Sequence, residues 1–311
     1  MATISFVDVG QGDCTVVVDD YGDALVIDCP RNRHGAALAE LDARGGQRIG
    51  AAIITHSDED HSGGMLDLIE ALSDRFDGLL FFNCDSVLAM PVIGPDHGIA
   101  GKRRRALINR AREYRGRVRD ARSGVGGSLN EIHWKLLSPN VDELLDALAD
   151  GDPNLASGIV FIGAGEIDVI VGGDAPLATW ERAAGEIPEG ATVRWPHHGG
   201  RISSSNHLQA QERLFDILNP KQVIVSVGSS NTHDHPFRAF FDARGSHGAK
   251  LMCTEATKKC VADGVGRPCA GTIRLGIHSN GSRLEADAPD FLARISSFGN
   301  AQCMPDAVDP D

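Results

Sequence analysis

The sequence predicts an α/β sandwich in which two sheets pack face to face and helices cover their outer faces. Two observations carry that expectation. Short β-branched runs and helical stretches succeed one another twice along the 311 residues. The polar clusters recur just past the ends of apolar strands, where α/β folds place their sites.

The chain opens with β-branched runs over 4–9, 14–18 and 24–28, separated by Gly/Asp turns as an antiparallel meander requires. A helix is expected over 35–44. Ala51-Ala52-Ile53-Ile54 is too short for a helix and is bounded by polar residues, so it reads as a buried strand. A helix over 62–72 follows, then strands over 79–82, 132–137, 159–162 and 168–171. The second half alternates helices over 176–184, 208–218 and 237–243 with strands over 192–195, 222–227, 272–277 and 283–286. Residues 1–298 read as one unit, and the Pro- and Asp-rich stretch 299–311 as a disordered acidic tail.

With 42% hydrophobic residues the chain can bury a core without crosslinks. No apolar run is long enough to span a bilayer, and Met1 leads straight into a strand pattern rather than an export signal. An odd number of cysteines, seven, then fits free thiols in a reducing cytoplasm better than a disulfide framework. The net charge of −13 argues against attraction of the whole chain to polyanions. One segment reverses it: ten Lys and Arg stand against Glu113 and Asp120 between Gly101 and Arg122. Lys102, Arg103, Arg104, Arg105, Arg110 and Arg112 are therefore candidate nucleic-acid contacts, with a solvated helix face as the bland alternative.

The chemistry concentrates in His56-x-Asp58-x-Asp60-His61, which puts four potential ligands in six residues at the end of a buried strand. Imidazole and carboxylate together suit zinc, manganese or iron. Asp174 follows the apolar strand at 168–171, His197 and His198 follow the strand at 192–195, and Asn231, His233 and His235 follow the strand at 222–227. Each could be a polar loop; their recurrence at successive strand ends points to one shared site.

The succession DVGQGD, LVIDCP, THSDEDHSGG, VGGDA, WPHHGG and SVGSSNTHDHP resembles the metallo-β-lactamase domain of the DNA-uptake protein ComEC and its stand-alone relatives, a branch that includes phosphorylcholine esterase. The likeness runs from about Thr3 to Ala243. It implies a four-layer αββα sandwich, the metallo-β-lactamase fold, with two divalent ions between the sheets, zinc or manganese. Most of the wider family carry His where Asp58 stands, and take another His from the loop before the Asp174 equivalent. Residues 153–157 offer none, and the ComEC branch shares both departures.

The resemblance implies one ion held by His56, Asp58 and a His of the PHHG turn, with His198 favoured over His197. It implies a second held by Asp60, His61 and His235, and a bridging Asp174. Asp60 and Asp174 are then catalytic as ligands that place the reactive water. His197 and His233 are candidates to bind phosphate or protonate the leaving oxygen, and Asn231 to donate to a phosphoryl oxygen. Asp8, Asp13 and Asp28 are candidates to orient ligand imidazoles, ordinary turn-forming Asp being the alternative. Cys253, Cys260 and Cys269, with His247 or His278 as a fourth partner, are a candidate structural zinc site; their spacing lacks the tight C-x-x-C pairs of a strong motif, and buried free thiols are the competing reading.

The function expected is phosphodiester cleavage by a dinuclear metal hydrolase, most simply a nuclease acting on DNA, with no membrane partner. Two alternatives stay open at this stage. One is a phosphodiesterase for small esters, such as a cyclic nucleotide or a phosphorylcholine-type ester. The other is a metal-binding scaffold whose catalysis has lapsed.

Overall fold

The computed structural model describes residues 2–83, 99–114, 116–261, 269–278, 281–287, 290–298 and 301–303. Within its helices and strands, the side chains of 99–101, 103–104 and 281–283 fall outside the description. Fifteen strands appear among the described residues. The first six are β1 (Ala2–Phe6), β2 (Thr15–Val18), β3 (Asp23–Ile27), β4 (Arg48–Ile53), β5 (Phe76–Phe81) and β6 (Val118–Arg119). Then come β7 (Gly126–Leu129), β8 (Ile132–Leu136), β9 (Val160–Ala164), β10 (Ile167–Val171) and β11 (Thr192–Arg194). The last four are β12 (Gln222–Val225), β13 (Lys250–Cys253), β14 (Ile273–His278) and β15 (Gly281–Ala286).

They form an eight-stranded sheet in the order β15-β14-β1-β2-β3-β4-β5-β6 and a seven-stranded sheet in the order β13-β12-β11-β10-β9-β8-β7. Residue alternation explains why the first sheet is covered on both faces. Ile4, Phe6, Val17, Leu25, Ile27, Ala51 and Ile53 point into the core shared with the second sheet. Their neighbours Val16, Val18, Ala24, Val26, Ala52 and Ile54 point to the other face and join a separate core, as the period of two demands.

That outer core is closed by helices α1 (His34–Ala43), α3 (Met65–Ala71) and α4 (Ile99–Ala111), which contribute Leu41, Leu66, Leu68, Ile69, Ile108 and Ala111. A short α2 (Glu59–Ser62) precedes α3. On the second sheet lie α6 (Leu177–Ala183), α7 (His207–Leu218) and α8 (Arg238–His247), with Trp195 stacked on Phe215 at a centroid distance of 4.1 Å. Helices α5 (Val141–Asp150) and α9 (Phe291–Ser297) complete the described elements. The architecture is the expected αββα sandwich. No described helix is long and apolar enough to cross a membrane.

Local chemistry explains the departures from the sequence reading. The helix expected over 62–72 breaks at Gly63-Gly64 into α2 and α3. A Cβ on Gly64 would sit 2.2 Å from the Pro30 carbonyl oxygen, so the chain passes too close there for a larger residue. Helix α5, missed in the sequence, carries a full capping box between Asn140 and Glu143. Of the expected tail, residues 299–300 and 304–311 lie outside the described residues, whereas Cys303 is buried.

Candidate metal centre

The strands deliver their chemistry at one edge. His56 to His61 follow β4, Asp28 follows β3, Asp174 follows β10, His198 follows β11 and His235 follows β12. Asp28 adopts a left-handed backbone (φ 59°), a conformation Asp tolerates better than most residues. Its carboxylate accepts the Thr55 N–H at 2.8 Å and the Thr55 hydroxyl at 2.7 Å, tying the start of the ligand loop to the meander. The turn over 8–13 locks the same loop from the other side, because the Asp13 N–H donates to the Asp60 carbonyl at 2.9 Å. Gly12 makes that approach possible: a Cβ there would stand 2.6 Å from the Asp60 carbonyl oxygen.

The PHHG turn is strained. His197 and His198 are consecutive left-handed residues (φ 52° and 54°) between Pro196 and a left-handed Gly199. Such conformations persist where the surroundings over-determine them, and they cluster at functional sites. Here Gln211 on α7 supplies the clamp. Its side-chain oxygen accepts from the Trp195 indole at 2.9 Å and its amide donates to the Gly200 carbonyl at 2.8 Å.

Hydrogen bonding fixes which imidazole nitrogen faces inward. A carbonyl or carboxylate can only accept, so the nitrogen beside it carries the proton. His61 Nδ1 donates to Asp28 at 2.9 Å and His198 Nδ1 to the Ser226 carbonyl at 2.9 Å. Thr55 gives its hydroxyl proton to Asp28, so its oxygen accepts from His56 Nδ1 at 3.2 Å. Each ring is thereby left with Nε2 turned into the site. The Nε2 atoms of His56, His61 and His198 are all buried without a hydrogen-bond partner, as is Asp174 Oδ1. Buried polar atoms are rarely left unpaired, and several converging on one spot are a ligand set.

These atoms form two overlapping clusters. His56, His61 and Asp174 make one, and Asp60, His61 and His198 the other. Asp174 Oδ1 stands 3.1 Å from His61 Nε2, and its Oδ2 stands 3.8 Å from His56 Nε2 and 3.6 Å from His197 Nε2. Asp60 Oδ2 lies 3.3 Å from His198 Nε2, and Asp58 Oδ2 lies 3.9 Å from His56 Nε2. His198 therefore stands with Asp60 and His61, not with His56 and Asp58 as the resemblance implies. His235 is next to His198 at a centroid distance of 6.0 Å, with a buried, unpartnered Nδ1.

Burial opposes charge on all these groups, and their mutual pairing decides the outcome. Burial raises Asp174, yet the charge of His61 at 3.1 Å, with His197 and His56 behind, holds its carboxyl well below the usual range. Asp60 is lowered against burial by His198 and His61. Conversely, Asp13 and Asp60 push His198 up to about 10 against burial, and Asp174 and Asp28 raise His61. His235, buried beside His198, His197 and His233, is pushed down to about 3. The carboxylates thus demand positive charge at the inward nitrogens, and a divalent cation meets that demand in place of protons.

The residues singled out in the sequence divide accordingly. Asp13 and Asp28 reach ligand imidazoles; Asp13 stands 3.3 Å from His198 Nδ1 and pairs with the buried Arg194. Asp8 does not, since its carboxylate accepts the Gly10 N–H at 3.2 Å within its own turn. Asn231 staples the 228–235 loop, donating to the Gly228 and His235 carbonyls at 2.7 and 2.9 Å, and so is not aimed at a substrate oxygen. His197 and His233 line the mouth of a cleft of about 260 Å³ with Asp58, Asp60, Asp174, His198 and His235. Sequence reasoning missed Gln11, Asn154, Thr55 and Arg194. Gln11 and Asn154 line the same cleft and hold buried polar atoms without partners. Arg194 ended a strand read only as apolar, and its inward turn had no sequence signal.

Of the basic segment, Lys102 and Arg105 are exposed, and the side chains of Arg103 and Arg104 lie outside the described residues. Arg110 is not free to meet a polyanion. It binds Asp67 at 2.6 Å and Glu70 at 3.0 Å, holding α4 against α3. Arg112, just past α4, is exposed and reaches Asn109 at 3.5 Å.

Residues 7–75 match the model of the metallo-beta-lactamase superfamily. The chain is 23% identical over 238 residues to Recombination protein 2 of Haemophilus influenzae, covering 75% of this chain and 25% of that one. It is 20% identical over 272 residues to ComE operon protein 3 of Bacillus subtilis, covering 81% and 32% respectively. It thus spans a quarter to a third of the length of these relatives. Among solved structures, CmlA, a diiron beta-hydroxylase from Streptomyces venezuelae, superposes with a TM-score of 0.50 at 16% identity, over 80% of this chain and 52% of that one. The chain has the metallo-β-lactamase fold, and at its strand ends stand clustered donors that could hold metal ions.

Proposed function

We propose that this protein is a dinuclear metal-dependent phosphodiesterase acting on nucleic acid, DNA first. The observation that supports it most is the pair of overlapping donor clusters, joined through His61, beside a cleft. His56, Asp58 and Asp174 would hold one divalent ion; Asp60, His198 and Asp174 would hold the other, with His61 between them and His235 beside the second. Two such ions activate water and neutralise charge on a phosphoryl group.

The chain's own side chains supply the rest. Asp28 and Asp13 keep the His61 and His198 rings turned, so that their Nε2 atoms stay inward. His197 donates Nδ1–H to the Arg201 carbonyl at 2.7 Å, which leaves Nε2 facing the cleft near Asp174. In its protonated form that Nε2–H can bind a phosphoryl oxygen or pass a proton to the leaving oxygen. Gln11, with an unpartnered buried Nε2, can donate to the same anion.

Two observations favour a polymer over a small ester. One relative carries the name Recombination protein 2. The second is topological. Strands β4, β5 and β6 are parallel, so the crossover that carries α4 leaves β5 at the strand ends that carry the ligand loop. The exposed Lys102 and Arg105 lie in the first turns of α4. The test is hydrolysis of plasmid, single-stranded DNA, RNA and bis(p-nitrophenyl) phosphate by metal-loaded protein. Cleavage of DNA that chelation abolishes, and that Lys102→Glu with Arg105→Glu weakens at fixed bis(p-nitrophenyl) phosphate turnover, is the expected result. Hydrolysis of the small ester alone would move the substrate to small phosphodiesters, and no hydrolysis of either would refute the reading.

A further inference from the structure

The buried cysteines beside β13 do not gather into a ligand set. Among the described residues no three of their sulfurs lie within 4.8 Å of one another, so the structural zinc site expected of Cys253, Cys260 and Cys269 is not preformed. The imidazoles expected beside them are elsewhere: His247 stacks on Phe215, and His278 is exposed at the end of β14. A different group of side chains, beside the metal cleft, does point to a ligand.

Arg201 leaves the strained turn one residue after Gly200. Its backbone carbonyl accepts His197 Nδ1–H at 2.7 Å, so the stretch that orients the His197 ring also starts the Arg201 side chain. The guanidinium then lies over the Phe237 ring, 5.6 Å from its centroid. Phe237 in turn meets the His235 ring edge-on, with the centroids 5.1 Å apart. His235 and His197 both line the cleft, and their rings stand 5.2 Å from each other. The path from the cleft to the guanidinium therefore runs through one imidazole and one phenyl ring.

Charge separates Arg201 from its neighbours. Lys259 is bound to Asp234 at 2.7 Å, and Arg238 to Asp242 at 2.8 Å. Arg201 is exposed and pairs with no carboxylate among the described residues. A guanidinium over an aromatic ring is held by the negative face of the π-system. That contact uses none of its five N–H donors. The ring thus seats the side chain and leaves open a planar fork that fits two oxygens of a phosphate.

We propose that Arg201, seated on Phe237, binds the phosphate next to the scissile one on a nucleic-acid strand. The inference rests on the phosphodiesterase reading and gives that site a reason to prefer a strand over an isolated ester. No bond is made or broken in this step. Holding the neighbouring phosphate orients the strand so that the adjoining diester lies in the cleft. Arg201 is in this sense a specificity residue, independent of Lys102 and Arg105 on α4.

Substrates with one scissile bond test this. Metal-loaded, full-length protein is offered a dithymidine diester, and the same diester carrying a terminal phosphate at its 5′ or its 3′ end. Wild type should prefer one phosphorylated form by about ten-fold in kcat/KM, the size expected of one hydrogen-bonded contact between charged groups. Arg201→Ala should bring that ratio close to one. It should also flatten the salt dependence of the KM for single-stranded DNA, by roughly 0.7 in the double-logarithmic slope. Arg201→Lys should keep the slope and lose part of the ratio, since it keeps the charge but not the fork. A wild type that cleaves the diester with no preference for a terminal phosphate overturns the inference and leaves the phosphodiesterase reading standing. So does a ratio unchanged in Arg201→Ala. A metal-loaded wild type that hydrolyses none of the three overturns both.

Discussion

Asp174 faces three imidazoles of the centre, with His61, His56 and His197 all within 3.8 Å of its oxygens. Asp174→Ala should remove metal and lower phosphodiester hydrolysis by about 4 kcal/mol of transition-state stabilisation, on the order of 1000-fold, because both ions act on one phosphoryl group. Far-UV circular dichroism should be unchanged; a folded mutant with near wild-type turnover would show that Asp174 is not the shared ligand. Asp13 acts one step back. It holds His198 Nδ1 at 3.3 Å and is itself held by Arg194, so Asp13→Asn frees the ring and strands a buried guanidinium. Metal affinity on the Asp60/His198 side should fall by roughly 10- to 100-fold, the usual loss for an orienting partner. Isothermal titration resolves the two affinities, and an unchanged weaker site would remove Asp13 from this role.

Among the elements, α1 is held to the sheet by a buried pair. Glu40 accepts from Ser5 on β1 at 2.8 Å and takes two bonds from Arg274 on β14, at 2.7 and 2.6 Å. Burial alone would raise the Glu40 carboxyl, but Arg274 and Ser5 outweigh it and hold it below its ordinary 4.5. A carboxyl lowered in the folded state stabilises above its unfolded value, and that contribution disappears as the pH falls through the folded value. Glu40→Gln should therefore cost about 3 kcal/mol at neutral pH, as expected when one partner of a buried pair is removed. The gap to wild type in urea unfolding should narrow steadily on acidification below the ordinary value. A gap independent of pH would mean that Glu40 acts by shape rather than charge. The same pair shows what sequence could not foretell. Neither residue belongs to a motif, and they lie 234 positions apart.

At the scale of the molecule, the sandwich and its site edge were legible for a simple reason. Apolar runs such as Val169-Ile170-Val171 end abruptly in Gly and Asp, and strand ends are where a sheet can present polar groups without burying unpaired backbone. What stayed hidden depends on long-range packing. The PHHG turn offers two histidines, but only the left-handed backbone and the Gln211 clamp send His198 to Asp60 rather than to His56. Arg110 belongs to a basic run in the sequence and to an ion pair between two helices in the fold. Cys303 was hidden for the same reason, since nothing local in a Pro- and Asp-rich stretch places it against Cys253 and Cys269.

The central claim is that the strand-end cluster is a two-ion centre, and anomalous diffraction from zinc-soaked crystals tests it most directly. Two peaks should flank Asp174, one against His56 and Asp58 and the other against Asp60 and His198. Six donor side chains around one shared carboxylate exceed what one tetrahedral ion can use. A single peak at that edge in fully loaded protein, or none, would contradict the two-ion account.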